Sequence, residues 1–409
     1  MSDRRLFYIA AFVRALATGM MGVLLGLYLA SRRLDADAIG VIVTLGLAGA
    51  ALATGLVTFF ADHFGHRRTL LFVTVASVLG GVQLAITAYP AVLGVAAFLG
   101  MVNGMGRDRG AALVVEQGAL PATASDAERT VVFARYNVLQ DFGHALGSLL
   151  AATPTVLQHA GMGAAGAQQG AVLLYAALMV VPLFAYARLS PAIETRRVEL
   201  QRRVTPETRT MLAKICGLFA IDAVAGGFLT TALLAFFFYK RFGVDESTIG
   251  LLFFVARVAN AGSHLAAAWL AKRIGLVRTM VYTHIPSSVL LLTVPFMPNF
   301  TTAAILFLLR ESLVEMDVPT RQSYVMAVVR PEERTFASGI THLVRLAGWA
   351  IAPAFAGALM SGVSLAVPLY IGAGMKIVYD LALWYAFRKL PPPEEKRGHS
   401  SFASKKRQS

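Results

Sequence analysis

Apolar segments long enough to cross a bilayer recur from one end of this sequence to the other. The hydrocarbon core of a membrane is about 30 Å thick and needs roughly 20 apolar residues per helical span. Of the 409 residues, 56% are hydrophobic and only 15% are charged, whereas a soluble domain carries roughly a quarter charged residues. The sequence therefore predicts an all-α polytopic membrane protein rather than a soluble one.

Twelve transmembrane helices are predicted from these segments. Their predicted ranges are 7–30, 38–61, 69–89, 91–117, 131–153, 168–187, 213–239, 247–271, 279–298, 302–325, 335–360 and 364–387. The charged stretch MSDRR leads directly into the first range, so we expect no cleaved signal peptide. The one cysteine, Cys216, lies in the seventh range, which excludes an intramolecular disulfide and a cysteine-based metal site.

The distribution of Lys and Arg predicts the orientation of the chain. Outside the predicted spans, 23 of these residues fall on the side of the two termini, and four (Arg32, Arg33, Lys240 and Arg241) fall on the other side. Because cytosolic loops carry the excess of basic residues, both termini are predicted to be cytoplasmic. We expect a multi-pass protein of the cell inner (plasma) membrane. The distribution also accounts for the net charge of +14, and no nucleic-acid partner is expected.

Composition divides the chain into four parts. Residues 1–187 and 213–388 each hold six predicted helices, and a basic cytosolic linker, residues 188–212, joins them. The linker is either a solvated tether or an amphipathic helix on the inner leaflet. Residues 389–409 are rich in Pro, then in Ser and Lys, and are predicted to form a disordered cytosolic tail.

The two six-helix parts repeat one another in sequence. LDADAIG (residues 34–40) recurs as VDESTIG 210 residues later, and ADHFGHRRTL (residues 61–70) recurs at the same offset as AKRIGLVRTM. At an offset of 205, the segment that begins AERT at residue 127 aligns with the one that begins EERT at residue 332. Six helices per repeat imply two bundles of parallel orientation. Such a repeat favours alternating access over a static pore.

The segment between predicted helices 2 and 3 resembles the signature of the major facilitator superfamily. Its matching positions are Asp62, Gly65, Arg67 and Arg68, and the second copy retains Gly275 and Arg278. Thr58 and Lys272 depart from the pattern in the first and second copies. The resemblance implies two pseudo-symmetric six-helix bundles, a secondary transporter, a cytosolic gate at this motif, and a central cavity lined by helices 1, 4, 7 and 10.

The predicted tenth helix carries five charges, which are Arg310, Glu311, Glu315, Asp317 and Arg321. A charge at mid-bilayer costs roughly 2.5–3.5 kcal/mol, so it usually faces the protein interior and finds a partner. Helical spacing places Arg310, Asp317 and Arg321 on one face, where Asp317 and Arg321 neutralise each other. Glu311 and Glu315 share another face and repel each other, which favours binding of protons or of a cationic substrate. The alternative is that basic side chains on other helices pair with both glutamates.

Matching charges occur in the first half with opposite sign. Glu116 aligns with Arg321 at the offset of 205, and Arg14 aligns with Asp222. We therefore predict a cavity for protons and substrate from eight residues: Arg14, Asp108, Arg109, Glu116, Asp222, Arg310, Glu311 and Glu315. For Arg14 the alternative is that its side chain extends to the cytosolic interface.

Several other polar residues in the predicted spans are expected to form structural pairs. Asp141 and His144 share a face of helix 5 and would relay protons, or Asp141 would pair with Arg257. Asp317 with Arg321, Arg345 with His342, and Lys376 with Asp380 are expected as structural pairs. His264 and His284 are expected only to pack.

These observations predict a secondary active transporter of a small molecule that is coupled to protons, and the family resemblance alone favours efflux, an antiport. Its expected partners are a small-molecule substrate, protons and the lipid bilayer, and we expect a monomer. A facilitative uniporter, a proton-coupled importer and a transport-incompetent sensor or scaffold are the alternatives. We expect no enzyme, because the sequence has no nucleotide-binding glycine loop and suggests no Ser-His-Asp set. We also expect no cofactor and no metal site.

Overall fold

The computed structural model describes residues 2–108, 110–123, 129–193, 205–329 and 333–387. Every regular element in these residues is a helix. The α-helices are α1 (Asp3–Ser31), α2 (Ala36–Phe64), α3 (His66–Ile86), α4 (Pro90–Gly100), α5 (Ala111–Ala119), α6 (Arg129–Leu150), α7 (Thr153–His159), α8 (Ala164–Ala187), α9 (Pro206–Phe228), α10 (Thr231–Phe242), α11 (Glu246–Ile274), α12 (Leu276–Thr293), α13 (Phe300–Val314), α14 (Asp317–Val328), α15 (Arg334–Gly362) and α16 (Val367–Phe387). The all-α prediction is therefore confirmed.

Eight helical segments among the described residues are long and apolar enough to cross a membrane. They are Asp3–Ser31, Ala36–Thr58, His66–Ile86, Ala164–Ala187, Pro206–Phe242, Glu246–Ala271, Leu276–Phe296 and Ala337–Gly362. The other predicted ranges also contain helices, which are shorter or more polar. The total of twelve spans stays a prediction.

Three predicted spans are each divided into two helices. The fourth span unwinds between α4 and α5, where Met101 and Gly106 have positive φ angles of 52° and 67°. The seventh divides before α10, whose first turn is capped by Thr230 through the amide of Leu233 at 3.4 Å. The tenth divides between α13 and α14. Pro319 falls in the first turn of α14, where a missing N–H breaks no helical hydrogen bond.

The sequence repeat is also a repeat of local geometry. Asp35 caps α2 through the amide of Ala38 at 3.0 Å, and Asp245, 210 residues later, caps α11 through the amide of Thr248 at 2.8 Å. The hydrogen bonds from Thr248 hold the pKa of the Asp245 carboxyl below its usual value. Equivalent glycines then begin α3 and α12 with φ angles of 87° and 90°. Each repeated segment thus ends one helix and begins the next in the same way.

The described chain packs as two compact units. Unit 1 contains the described residues of Met1–Glu199, Gly226–Arg257 and Leu346–Leu369, and unit 2 contains those of Leu200–Ala225, Val258–Arg345 and Tyr370–Ser409. In unit 1, α1 is almost wholly buried, and α6 packs so closely on it that a Cβ atom on Gly147 would meet the backbone of Leu16. The predicted division at residues 1–187 and 213–388 stays a prediction.

Candidate functional site

Arg14 lies at the centre of a buried polar cluster in unit 1. Its guanidinium donates to the Asp108 carboxylate, to the hydroxyl of Tyr186, and to Glu116 Oε2 at 2.5 Å. The Tyr186 hydroxyl donates to Glu116 Oε1 at 2.6 Å, and the Tyr136 hydroxyl donates to Oε2 at 2.5 Å. Arg14, Asp108 and Glu116, which were predicted to belong to one site, are therefore in contact. The Arg14 side chain is buried and does not extend to the cytosolic interface.

His144 holds the unwound part of the fourth span. Its Nε2 accepts a hydrogen bond from the amide of Asp108 at 2.7 Å, so the proton of the neutral ring sits on Nδ1. Asp141, one turn earlier on α6, is exposed. Arg257 donates to the carbonyl of Met105 at 3.2 Å and to the hydroxyl of Thr231 at 3.3 Å. Neither the Asp141–His144 relay nor the Asp141–Arg257 pair appears in these hydrogen bonds.

Asp222 is the centre of a second cluster, in unit 2. Its carboxylate accepts from Lys376 Nζ at 2.9 Å and from Arg321 Nη1 at 3.2 Å, and Arg345 Nη2 lies 3.7 Å away. Arg321 also donates to Asp317 at 2.5 Å. The predicted pair of Asp317 and Arg321 is therefore present. It belongs to a larger network that joins α9, α14, α15 and α16.

The same network includes a histidine that was expected only to pack. His284 Nδ1 lies 2.9 Å from Asp380 Oδ1, and its Nε2 lies 3.3 Å from Lys376 Nζ. His284 and Asp380 are 1% and 0% exposed, so neither finds a partner in solvent. The expectation of simple packing is wrong for His284. The expected pair of Lys376 and Asp380 is also replaced, since Lys376 binds Asp222 and Asp380 binds His284.

The two clusters are related by the repeat, with their charges exchanged. In unit 1 a cation on α1 (Arg14) binds an anion on α5 (Glu116), and in unit 2 an anion on α9 (Asp222) binds a cation on α14 (Arg321). The sequence alignment matched the same positions, Arg14 with Asp222 and Glu116 with Arg321. Exchange of sign at both positions preserves the attraction within each unit, because each unit keeps one charge of either sign.

Glu311 lies on α13 between two donors in unit 2. Arg310 donates to Oε1, and Asn260 Nδ2 donates to Oε2 at 3.0 Å. The division of the tenth span separates Arg310 on α13 from Asp317 and Arg321 on α14. That these three residues share a face stays a prediction, whereas the expectation that Glu311 has no basic partner on its own helix is wrong.

Glu315 lies one turn after Glu311, at the end of α13. Its Oε2 is 3.9 Å from His264 Nε2, and the Glu315 and His264 side chains are 18% and 31% exposed. Asn260 and His264 are themselves one turn apart on α11, so α11 and α13 present two successive polar pairs. The expectation that His264 only packs is wrong. The more exposed pair, His264 with Glu315, adjoins the more buried pair, Asn260 with Glu311.

The predicted cytosolic gate is described only in part. Gly65 and Gly275 have the positive φ angles noted above, Arg67 donates to the carbonyl of Ala187, and Arg68 and Arg278 are exposed. The Asp62 side chain and all of Arg109 lie outside the described residues. Whether Asp62 pairs with these basic residues therefore stays a prediction.

Sequence reasoning missed partners that come from distant helices. Tyr136, Tyr186, Asn260 and Lys376 each bind a predicted charge, yet each is far from that charge in sequence. Glu333 was also missed, and it accepts from the Thr205 amide at 2.6 Å just before α9. The i, i+4 spacing of Tyr136 and Gln140, whose side chains bond at 3.1 Å, was a local signal. The other contacts depend on which helices pack together.

Comparisons with known proteins bear on the family and the fold of this chain. A family model described as Major Facilitator Superfamily matches residues 7–316 and residues 215–408. The chain is 24% identical over 416 residues to the uncharacterized membrane protein YJR124C of Saccharomyces cerevisiae, and the alignment covers 93% of each protein.

Solved transporters are similar in fold. The nucleoside transporter NupG aligns with a TM-score of 0.74 at 14% identity, over 95% of this chain and 99% of its own. The human organic anion transporter MFSD10 aligns with a TM-score of 0.62 at 14% identity, over 93% of this chain and 98% of its own. At these identities the likeness concerns the fold alone.

Proposed function

The chain belongs to the Major Facilitator Superfamily, and from this premise we propose that it is a secondary active transporter. It moves a small molecule across the cell inner membrane by alternating access, in exchange for protons and in the direction of efflux. Family membership and the similarity to solved transporters support membrane transport. The coupling ion, the direction and the orientation of the termini in the cytoplasm belong to the proposal.

The buried carboxylate of Glu311 carries the proton-coupling part of this proposal. It is 7% exposed and receives hydrogen bonds from the Arg310 guanidinium and the Asn260 amide. Ionisable groups inside membrane-spanning bundles are costly and mark ion and substrate paths. A carboxylate in this position holds Arg310 when it is charged and releases it when a proton binds.

Glu315 and His264 provide the outer part of the same route. His264 Nε2 lies 3.9 Å from Glu315 Oε2, and both side chains are more exposed than that of Glu311. A proton that reaches Glu315 or His264 is then one helical turn from Glu311 along α13. A cationic group of a substrate binds the charged Glu311 carboxylate, and a proton on that carboxylate prevents this binding. Proton and substrate thereby occupy Glu311 alternately, as exchange requires.

A thermal-shift screen of the purified protein against a panel of metabolites and drugs, at acidic and at neutral pH, tests this proposal. A ligand that binds the folded state raises the unfolding temperature by mass action. We expect the stabilisation by a hit to depend on pH in the wild type, and we expect Glu311→Gln to remove that dependence while retaining the fold.

The exposed Glu207, at the start of α9, provides the control. Glu207→Gln makes the same chemical change away from the polar pairs, and it should leave the pH dependence as in the wild type. If Glu311→Gln and Glu315→Gln both keep the full pH dependence of the wild type, the proton site proposed here is wrong.

A further inference from the structure

Two exposed arginines flank the turn between α11 and α12, in unit 2. Only Gly275 separates the two helices, and its amide donates to the carbonyl of Ala271 at 2.9 Å. Arg273 lies in the last turn of α11, and Arg278 lies in the first turn of α12. Both side chains are exposed. Two guanidinium groups therefore lie at the end of the helix pair where α11 stops and α12 begins.

An exposed aromatic ring lies one helical turn from each arginine, on the side away from the connecting turn. On α11 this ring is Trp269, four residues before Arg273, and it is 54% exposed. On α12 it is Tyr282, four residues after Arg278, and it is 56% exposed. Residues four apart lie on the same face of a helix. Both helices therefore present a basic group at their shared end and an aromatic ring about 6 Å further along.

Contacts within unit 2 hold both rings in place. The guanidinium carbon of Arg273 lies 4.0 Å from the centre of the Trp269 ring. The Tyr282 ring lies 5.8 Å from the Trp384 ring of α16, at an interplanar angle of 32°. A guanidinium stacked on a ring uses its face and keeps the N–H groups at its edge for an anion. Arg273 is thus positioned to donate to an acceptor beside Trp269.

The charge at this turn is positive and is not balanced locally. The sequence from residue 247 to residue 310 includes Lys272, Arg273 and Arg278 and contains no acidic residue. Neither Arg273 nor Arg278 forms an ion pair with the described residues. The equivalent segment of the first half carries Asp62 at the position that Lys272 occupies in the second. The turn in unit 2 therefore favours an anionic partner more than its counterpart does.

The exposed rings determine which kind of anion this surface fits. Trp and Tyr are enriched where the hydrocarbon of a bilayer meets its headgroups. Trp269 lies within the candidate span Glu246–Ala271, and Arg273 lies just beyond it. A phospholipid would place its phosphate at the level of the arginines and its acyl chains along the rings, whereas a free phosphate ion would contact only the arginines. The excess positive charge favours a lipid with net negative charge over a zwitterionic one.

We propose that this surface, formed by Trp269, Arg273, Arg278 and Tyr282, binds the headgroup of an anionic phospholipid. The two guanidinium groups donate to the headgroup, and the two rings contact the glycerol and the upper part of the acyl chains. The site goes beyond the proposed function, since it requires neither a substrate nor a proton at Glu311. Lipid binding is measurable without transport, so the failure of either proposal leaves the other standing.

Quenching of tryptophan fluorescence by brominated lipids tests the site in the purified full-length protein. The chain has three tryptophans, and Trp349 is 5% exposed, so the accessible ones are Trp269 and Trp384, both at the proposed site. In mixed micelles, brominated phosphatidylglycerol should quench the wild type at a lower mole fraction than brominated phosphatidylcholine. A basic residue near an anionic membrane surface contributes about 1 kcal/mol, and about 1.4 kcal/mol corresponds to tenfold in affinity. We therefore expect Arg273→Gln and Arg278→Gln each to raise the half-quenching fraction of phosphatidylglycerol by roughly fivefold.

Arg241 supplies the matched control. It is exposed in the last turn of α10, in unit 1, and its guanidinium carbon lies 5.3 Å from the centre of the Phe242 ring. It is thus another exposed arginine beside an aromatic ring, but Asp245 follows it closely in the sequence. Arg241→Gln should retain the lipid preference of the wild type.

Three results would overturn the proposal. The first is equal quenching by the two lipids, and the second is a preference for phosphatidylglycerol that neither Arg273→Gln nor Arg278→Gln weakens. The third is displacement of phosphatidylglycerol by inorganic phosphate, compared with chloride at equal ionic strength, which would identify a site for a free anion. Quenching that falls as the protein concentration rises would show that a second copy of the chain covers this surface, and it would also contradict a lipid site.

Discussion

Each central charge in this protein is held by several partners, and most of them come from other helices. Arg14 binds two carboxylates and a tyrosine, and Asp222 lies among Lys376, Arg321 and Arg345. Sequence periodicity reveals partners only three or four residues away on one helix, such as Asp317 and Arg321. It identified the central charges because charge in an apolar span is conspicuous. It could not identify partners that depend on helix packing.

Replacement of Asp222 should destabilise the protein more than replacement of any exposed acid. Asp222→Asn leaves three cationic side chains without their shared carboxylate, and removal of one partner from a buried ion pair costs about 3–5 kcal/mol. Thermal unfolding in detergent measures the loss. Adding Lys376→Met to the Asp222→Asn protein should recover part of the lost stability, because it removes one excess cation. Asp37, in the first turn of α2, is exposed, and Asp37→Asn is the control. If Asp222→Asn lowers the unfolding temperature no more than Asp37→Asn does, this account of the cluster is contradicted.

The hydroxyl of Tyr186 should contribute to stability through Glu116. Glu116 is 0% exposed and receives Tyr186 at 2.6 Å, so Tyr186→Phe removes a donor from a buried carboxylate. Hydrogen bonds to charged groups contribute about 1.5–3 kcal/mol, and we expect a loss of that order in thermal unfolding. Tyr239→Phe, at a residue 37% exposed, is the control. Equal unfolding temperatures for the two variants would show that the buried hydroxyl contributes nothing.

The sequence predicted the positions of the helical spans better than it predicted the breaks within them. Each apolar range contains helix, because hydropathy reports an average over many residues. The divisions in the fourth, seventh and tenth spans depend on single residues, including Gly106 with its φ of 67° and the capping residue Thr230. Arg310 pairs with Glu311 on the first of the two helices of the tenth span.

The close packing of α1 and α6 should depend on glycine. A Cβ atom on Gly147 would meet the Leu16 carbonyl, whereas one on Gly217 of α9 would meet nothing within 4 Å. Gly147→Ala should therefore lower the unfolding temperature or the yield of folded protein, because forcing atoms into a packed contact typically costs about 1–3 kcal/mol. Gly217→Ala is the matched substitution and should be tolerated. If Gly147→Ala is tolerated equally, α1 and α6 do not pack as closely as described.

For the whole molecule, the internal repeat was the most informative part of the sequence. It predicted that Arg14 and Asp222 are equivalent positions, and that Glu116 and Arg321 are too. The ion pairs agree with this equivalence, because Arg14 binds Glu116 in unit 1 and Arg321 binds Asp222 in unit 2. The fold class followed from composition, and the family from short motifs such as the segment around Gly65. The polar pairs between α11 and α13 did not follow from the sequence, because they depend on the packing of these two helices.

Proton-coupled transport is tested most directly in proteoliposomes that contain a pH-sensitive dye, with a ligand found in the thermal-shift screen. Addition of this ligand should drive proton movement through the wild type and through Glu207→Gln, and no movement should occur through Glu311→Gln. Ligand flux without proton movement would identify a facilitative uniporter, and the absence of any flux would identify a sensor or scaffold. Either result would contradict proton-coupled secondary transport by this protein.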